Sequence, residues 1–226
     1  MNLKSNYSHG NWFKLTDQQI FNLLVQSTQM NDITAKKRLY KLSIEEILIY
    51  LKKSHACYLD KIFPEMEQQF NHLYEHHRES DPIPFHLCTV FMVFKEKLKS
   101  HILNEETKLF PYINALNNLK NKQGVYSEVN ELSKYSIDQF MEEHDDVESD
   151  LKVIKSLIIE NSEILELPMP FKLFLIQLET FEKDLRLHAW LEDELLVSKV
   201  KNLENQVKSF LSDSIFQFEL SHFINF

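Results

Sequence analysis

His101-Ile102-Leu103-Asn104-Glu105 and His188-Ala189-Trp190-Leu191-Glu192 are the two stretches whose reading decides the fold. In each, a glutamate follows a histidine by four residues, a step that stacks two side chains on one face of an α-helix. Both pairs continue an apolar stripe. Leu87, Phe91, Phe94 and Leu98 lead into the first, with Leu109, Tyr112 and Leu116 after it; Phe171, Leu175, Leu178, Phe181 and Leu185 lead into the second, with Leu195 after it. Ionisable groups in line with a core-facing stripe belong inside the protein.

Two further stripes flank these. Ser43 followed by Glu46 is a capping box, and it opens a run of Ile44, Leu48, Leu51, His55, Tyr58, Ile62 and Met66, a helix over roughly 43–77. Asp81-Pro82-Ile83-Pro84 ends it. After the polar stretch from Asn117 to Gly124, Ile137, Phe140, His144, Val147, Leu151, Ile154 and Ile158 make a third helix ending near Asn161, and Pro168 and Pro170 mark the start of the fourth. With only 2 glycines, 6 prolines and 17 phenylalanines, long helices are favoured over a turn-rich sheet. The fold class predicted is all-α, an antiparallel up-down four-helix bundle over 43–201. Residues 1–42 are an N-terminal extension, partly helical through Ile20, Leu23 and Leu24, and 202–226 an amphipathic C-terminal tail in which Leu203 to Phe223 is expected to form a further helix. The tails are expected to pack outside the bundle or to mediate a homodimer.

Each of the four helices places one histidine on its stripe: His55, His101, His144 and His188. Intervals of 46, 43 and 44 residues separate them. In an antiparallel bundle, successive intervals measure alternately twice the distance to one end and twice the distance to the other. Nearly equal intervals therefore put all four at mid-height. A lone histidine on an apolar stripe is more often a hydrogen-bonded core residue than a ligand, but four at one level, with Glu105 and Glu192 beside them, are a different case. Burying a carboxylate costs several kcal/mol unless a cation compensates it, and no lysine or arginine lies beside either glutamate on the stripes.

Four imidazoles and two carboxylates suit two first-row metal ions bridged by the carboxylates. Six ligand groups leave coordination positions for an oxo group, water, dioxygen or nitric oxide. Structural zinc fits less well, because it recruits thiolates into a closed tetrahedron, and Cys57, two residues after His55, faces away. Zinc-protease spacing, glycine-rich phosphate loops and the serine elbow are absent. The order also differs from the ferritin-like pattern, in which glutamate comes three residues before histidine.

The two quoted stretches, the first extended through Glu106-Thr107-Lys108-Leu109-Phe110-Pro111-Tyr112-Ile113 and the second through Asp193-Glu194-Leu195-Leu196, resemble the signature segments of hemerythrin-like domains; Glu143-His144-Asp145 resembles their third-helix segment. More narrowly, with Ser54-His55 and Phe63-Pro64-Glu65 on the first helix, the layout is similar to the iron-sulfur cluster repair di-iron proteins. The resemblance covers about residues 43–200. It implies two non-haem iron ions, oxo- or hydroxo-bridged, with metal ligands His55, His101, Glu105, His144, His188 and Glu192. It implies repair of iron-sulfur centres, or a response to nitric oxide and oxidative stress, in the cytoplasm. The alternative it leaves is a reversible dioxygen or nitric oxide sensor or store.

Two departures stand out. Such repair proteins often carry paired cysteines in an N-terminal module, and no cysteine precedes Cys57; Glu148, four residues after His144, stands where the family often has a small residue. His76 and His77 lie about 30 Å along a continuous helix from His55, and are read as surface residues with His9, His72, His86 and His222. A net charge of -9 argues against nucleic acid and anionic membranes as partners. No apolar run reaches membrane-spanning length. Two isolated cysteines and the lack of a signal-peptide pattern point to a reducing cytoplasm. The partners expected are a small gas and iron-sulfur proteins.

Overall fold

The computed structural model describes residues 39–77, 83–121, 135–142, 151, 153, 154, 156 and 169–224, with 73–77, 83–86 and 213–224 described by backbone alone. The chain divides into two units, Met1–Leu42 and Ser43–Phe226. The helix expected around Ile20 lies outside the described residues, as do His144, Glu148 and the stretch from 157 to 168. All regular structure among the described residues of the second unit is helical, in four helices.

Helix α1 runs through Ile44–Cys57, a π turn at Tyr58–Ile62, and Phe63–His77. Its start is set by the capping box: Glu46 N–H donates to Ser43 Oγ at 3.2 Å and Ser43 N–H to Glu46 Oε2 at 2.8 Å. Two N–H groups that no helical carbonyl can reach are thereby satisfied. Helix α2 comprises Ile83–Asn104, a π turn at Glu105–Leu109, and Phe110–Lys120. Helix α3 is described over Ile137–Glu142, and residues 151, 153, 154 and 156 are also helical. Helix α4 comprises Met169–Trp190, a π turn at Leu191–Leu196, and Val197–Ile224. The segment from Leu203 to Phe223, expected as a further helix, continues α4 without a break at Lys201.

The π turns are the local surprise. In each, one backbone bond spans five residues instead of four: Phe63 N–H to Tyr58 O, Phe110 N–H to Glu105 O, and Val197 N–H to Glu192 O. Two of the three have a cause in the sequence. Pro64 and Pro111 follow immediately on the residues that close the wide rings, and a proline inside a helix both lacks an N–H and clashes with the carbonyl four residues back. A widened turn just before the proline absorbs that conflict.

Phe63–His77 packs on Ile83–Asn104 and on Met169–Trp190, so the second half of α1 lies beside the first halves of α2 and α4. The end of α2 and the start of α3 pack on Val197–Ile224. One core draws on three of these helices and on two further helical residues: Phe63, Met66 and Phe70 from α1, Phe91, Phe94 and Leu98 from α2, Phe174, Leu178 and Phe181 from α4, with Leu151 and Ile154. Phe63 sits edge-on to Phe91, Phe94 and Phe181 with centroids 6.1, 6.3 and 5.9 Å away. This aromatic layer forms the floor below the polar cluster described next.

At the other end of the helices, buried Glu204 of α4 accepts from the Tyr112 hydroxyl and, at 2.8 Å, from Ile137 N–H at the start of α3. Lys201 pairs with Asp138 at 2.7 Å. The extension of α4 thus holds the N-terminus of α3, where unbonded N–H groups attract negative charge.

Candidate metal centre

Five of the six residues singled out in the sequence are described, and the structure brings them together; the sixth, His144, lies outside the described residues. His55 comes from the last turn before the first π turn. Glu105 and Glu192 lie within the second and third π turns, one helical turn after His101 and His188. All three π turns therefore lie at the height of the ligands, the placement such turns commonly take in functional sites.

The donors converge in two groups that share Glu105: His55, Glu105 and His188 in one, His101, Glu105 and Glu192 in the other. Glu105 turns one oxygen to each. Its Oε2 is 2.9 Å from His55 Nε2, and its Oε1 is 2.9 Å from His101 Nε2. His188 Nε2 lies 3.3 Å from His55 Nε2 and 3.9 Å from Glu192 Oε2. Both glutamates are fully buried, and His55 and His188 nearly so, while the His101 side chain keeps 12% of its surface exposed.

Buried groups of this kind are able to hold a metal ion: neutral imidazoles and carboxylates are the usual nitrogen and oxygen donors for first-row metals, and a cation offsets the cost of burying two carboxylates. Neither cysteine belongs to either group. Cys57 is exposed and Cys88 half-buried, and local burial pushes both thiols above their ordinary pKa, with Asp184 adding to the effect at Cys57. A raised thiol is a poor nucleophile at neutral pH.

Around the donors lie residues that periodicity alone did not single out, together with Tyr58, which it placed on the core stripe without a role at the site. Ser54 Oγ is 2.8 Å from His188 Nδ1, and Glu106 Oε1 is 2.9 Å from His55 Nδ1. Phe110 stacks on the His55 ring at 5.7 Å and 6°, with the Lys52 ammonium 5.6 Å from its centroid. Tyr58 presents its ring edge to His188 at 5.7 Å and donates from its hydroxyl to Asp184 Oδ2 at 2.8 Å. Burial, then the Asp184 charge, holds the Tyr58 phenol far above its ordinary pKa, so it remains a donor. Burial also raises the Asp184 carboxyl, against the pull of the Tyr58 hydrogen bond.

The signals for these residues were present but quiet. Glu106 directly follows a ligand candidate and Ser54 directly precedes one, and adjacent residues on a helix point about 100° apart, so a search along one stripe passes over both. No protein-family model, no curated protein and no solved structure matches the chain. Among the described residues no helix is long and apolar enough to cross a membrane.

Proposed function

We propose that this chain is an antiparallel four-helix bundle of the hemerythrin-like class that holds two non-haem iron ions and acts in the response to nitric oxide and oxidative stress, restoring damaged iron-sulfur centres. The observation that carries the two-ion reading is Glu105. Its two oxygens address different histidines at equal distance, as a carboxylate does when it spans two ions. Six residues form the ligand set: His55, His101, His144 and His188 as terminal donors, Glu105 and Glu192 as bridges. Iron is favoured over zinc because the set is imidazole and carboxylate without thiolate, and because it is not a closed tetrahedron.

Iron bound there supplies one-electron redox chemistry and open positions for a diatomic gas. The chain's own residues supply the rest. The buried glutamates offset the ions' charge, the π turns aim Glu105 and Glu192 inward, and the Phe63, Phe94 and Phe181 layer keeps water from one side of the site. Of the ligand histidines described, His101 is the most exposed, which favours entry of a gas from its side.

The test is to expose the reduced, iron-loaded protein to nitric oxide and to dioxygen and follow its visible bands, then to add it to an enzyme whose iron-sulfur centre has been damaged by nitric oxide. Turnover or iron donation with recovery of the damaged enzyme is expected. Reversible adduct formation without recovery would instead make the chain a gas sensor or store.

A further inference from the structure

Beyond the ligands themselves, we infer that Ser54 and Glu106 are positioning residues that hold His188 and His55 as Nδ1–H tautomers, so that both present a bare Nε2 lone pair to the same point. The inference rests on the metal-centre reading and assigns to it two residues outside the six-ligand set.

The argument starts from what each partner is able to donate. A carboxylate only accepts, so the 2.9 Å contact between Glu106 Oε1 and His55 Nδ1 requires the proton to lie on His55 Nδ1. The Ser54 hydroxyl carries one proton, and two helical carbonyls stand ready for it, Leu51 O at 2.9 Å and Tyr50 O at 3.2 Å. A hydroxyl committed to its own helix meets His188 Nδ1, 2.8 Å away, with a lone pair, and the ring nitrogen donates. A neutral imidazole with its proton on Nδ1 has none on Nε2. The two Nε2 atoms then face each other at 3.3 Å with Glu105 Oε2 at 2.9 Å from one of them. Three lone pairs at one point repel unless a cation stands among them, and a metal ion is a cation of the right chemistry.

The two partners differ in kind. Ser54 is buried and neutral, whereas the Glu106 side chain is 43% exposed and anionic. A carboxylate partner makes the imidazole a stronger donor as well as fixing its tautomer. His55 is therefore the more strongly donating of the pair, and Glu106 the partner that can be removed without opening a hole in the core.

The test reads tautomers and affinity separately. In histidine-labelled apo protein at pH 8, long-range nitrogen-proton correlation spectra are expected to show His55 and His188 as neutral Nδ1–H forms. Glu106→Ala is expected to release the preference at His55 and Ser54→Ala that at His188. Cobalt(II) titrated into the apo protein, followed by its visible bands, is expected to bind each alanine variant about 10- to 100-fold more weakly than the parent. Glu106→Gln, which keeps an oxygen acceptor, is expected to retain the tautomer and recover part of the affinity. Circular dichroism checks that the variants remain folded. Finding either ring as the Nε2–H tautomer or as imidazolium in the parent, or finding unchanged tautomers and cobalt affinity in both alanine variants, would overturn the assignment. A parent with both Nδ1–H tautomers and no cobalt uptake supports the assignment and sinks the metal-centre reading.

Discussion

Replacing Glu105 by glutamine removes one negative charge and little volume from the point where the two donor groups meet. In the metal-centre account the carboxylate is a liability without its ion: it is fully buried, and what stabilises it is the cation. Apo Glu105→Gln at pH 8, where a free imidazole is neutral, is thus expected to match apo parent within about 1 kcal/mol or to exceed it. Metal changes the comparison. An ion present at about 1,000 times its dissociation constant stabilises the parent by about 4 kcal/mol, which for a helical unit of this size raises Tm by roughly 8–16 °C. The variant, having lost the bridge for both ions, is expected to show almost none of that gain. Differential scanning calorimetry of both proteins, with and without ferrous iron under anaerobic conditions, measures all four states. If the cluster is instead a structural ion pair between charged histidines and Glu105, breaking it costs about 3–5 kcal/mol in the apo protein. A variant destabilised by that amount, beside a parent whose Tm ignores iron, refutes the reasoning.

Other expectations follow from the packing around the site. Phe63→Ala, which empties the aromatic layer beneath the ligands, is expected to cost about 3–5 kcal/mol in denaturant unfolding, and a loss under 1 kcal/mol would contradict its central place. Ser43→Ala removes half of the capping box and is expected to cost about 1 kcal/mol with metal content unchanged. Asp184→Asn tests a pH dependence. Burial raises the folded-state pKa of Asp184, so the stability it contributes is complete below its unfolded value of about 3.9 and is lost as pH rises through the folded value. The parent is expected to lose stability relative to the asparagine variant over that rise, and parallel curves from pH 4 upward would show that Asp184 does not titrate abnormally.

Much of this architecture can be read from periodicity. The capping box at Ser43, the extents of α1 and α2, the start of α4, and the inward placement of His55, Glu105, His188 and Glu192 follow from spacing along apolar stripes, because burial forces a helix to repeat every three or four residues. The π turns escape such a reading, since one inserted hydrogen-bond step shifts the face by a single residue and leaves three- and four-residue spacings intact on either side. Pro64 and Pro111 were the clue, and proline usually signals a break rather than a widened turn. Ser54, Glu106 and Asp184 escape for another reason: each acts across helices on a partner far away in sequence, with separations of 134, 51 and 126 residues. Such pairings depend on helix rotation, which no single stripe determines.

The central claim, two ions sharing Glu105, is tested most directly by native mass spectrometry of the chain purified anaerobically from iron-replete cells, with elemental analysis of the same sample. The account requires close to two irons per chain, falling to one or none in Glu105→Gln while His72→Ala, at an exposed position on α1, keeps both. Fewer than one iron per two chains, or full occupancy by zinc, would contradict it.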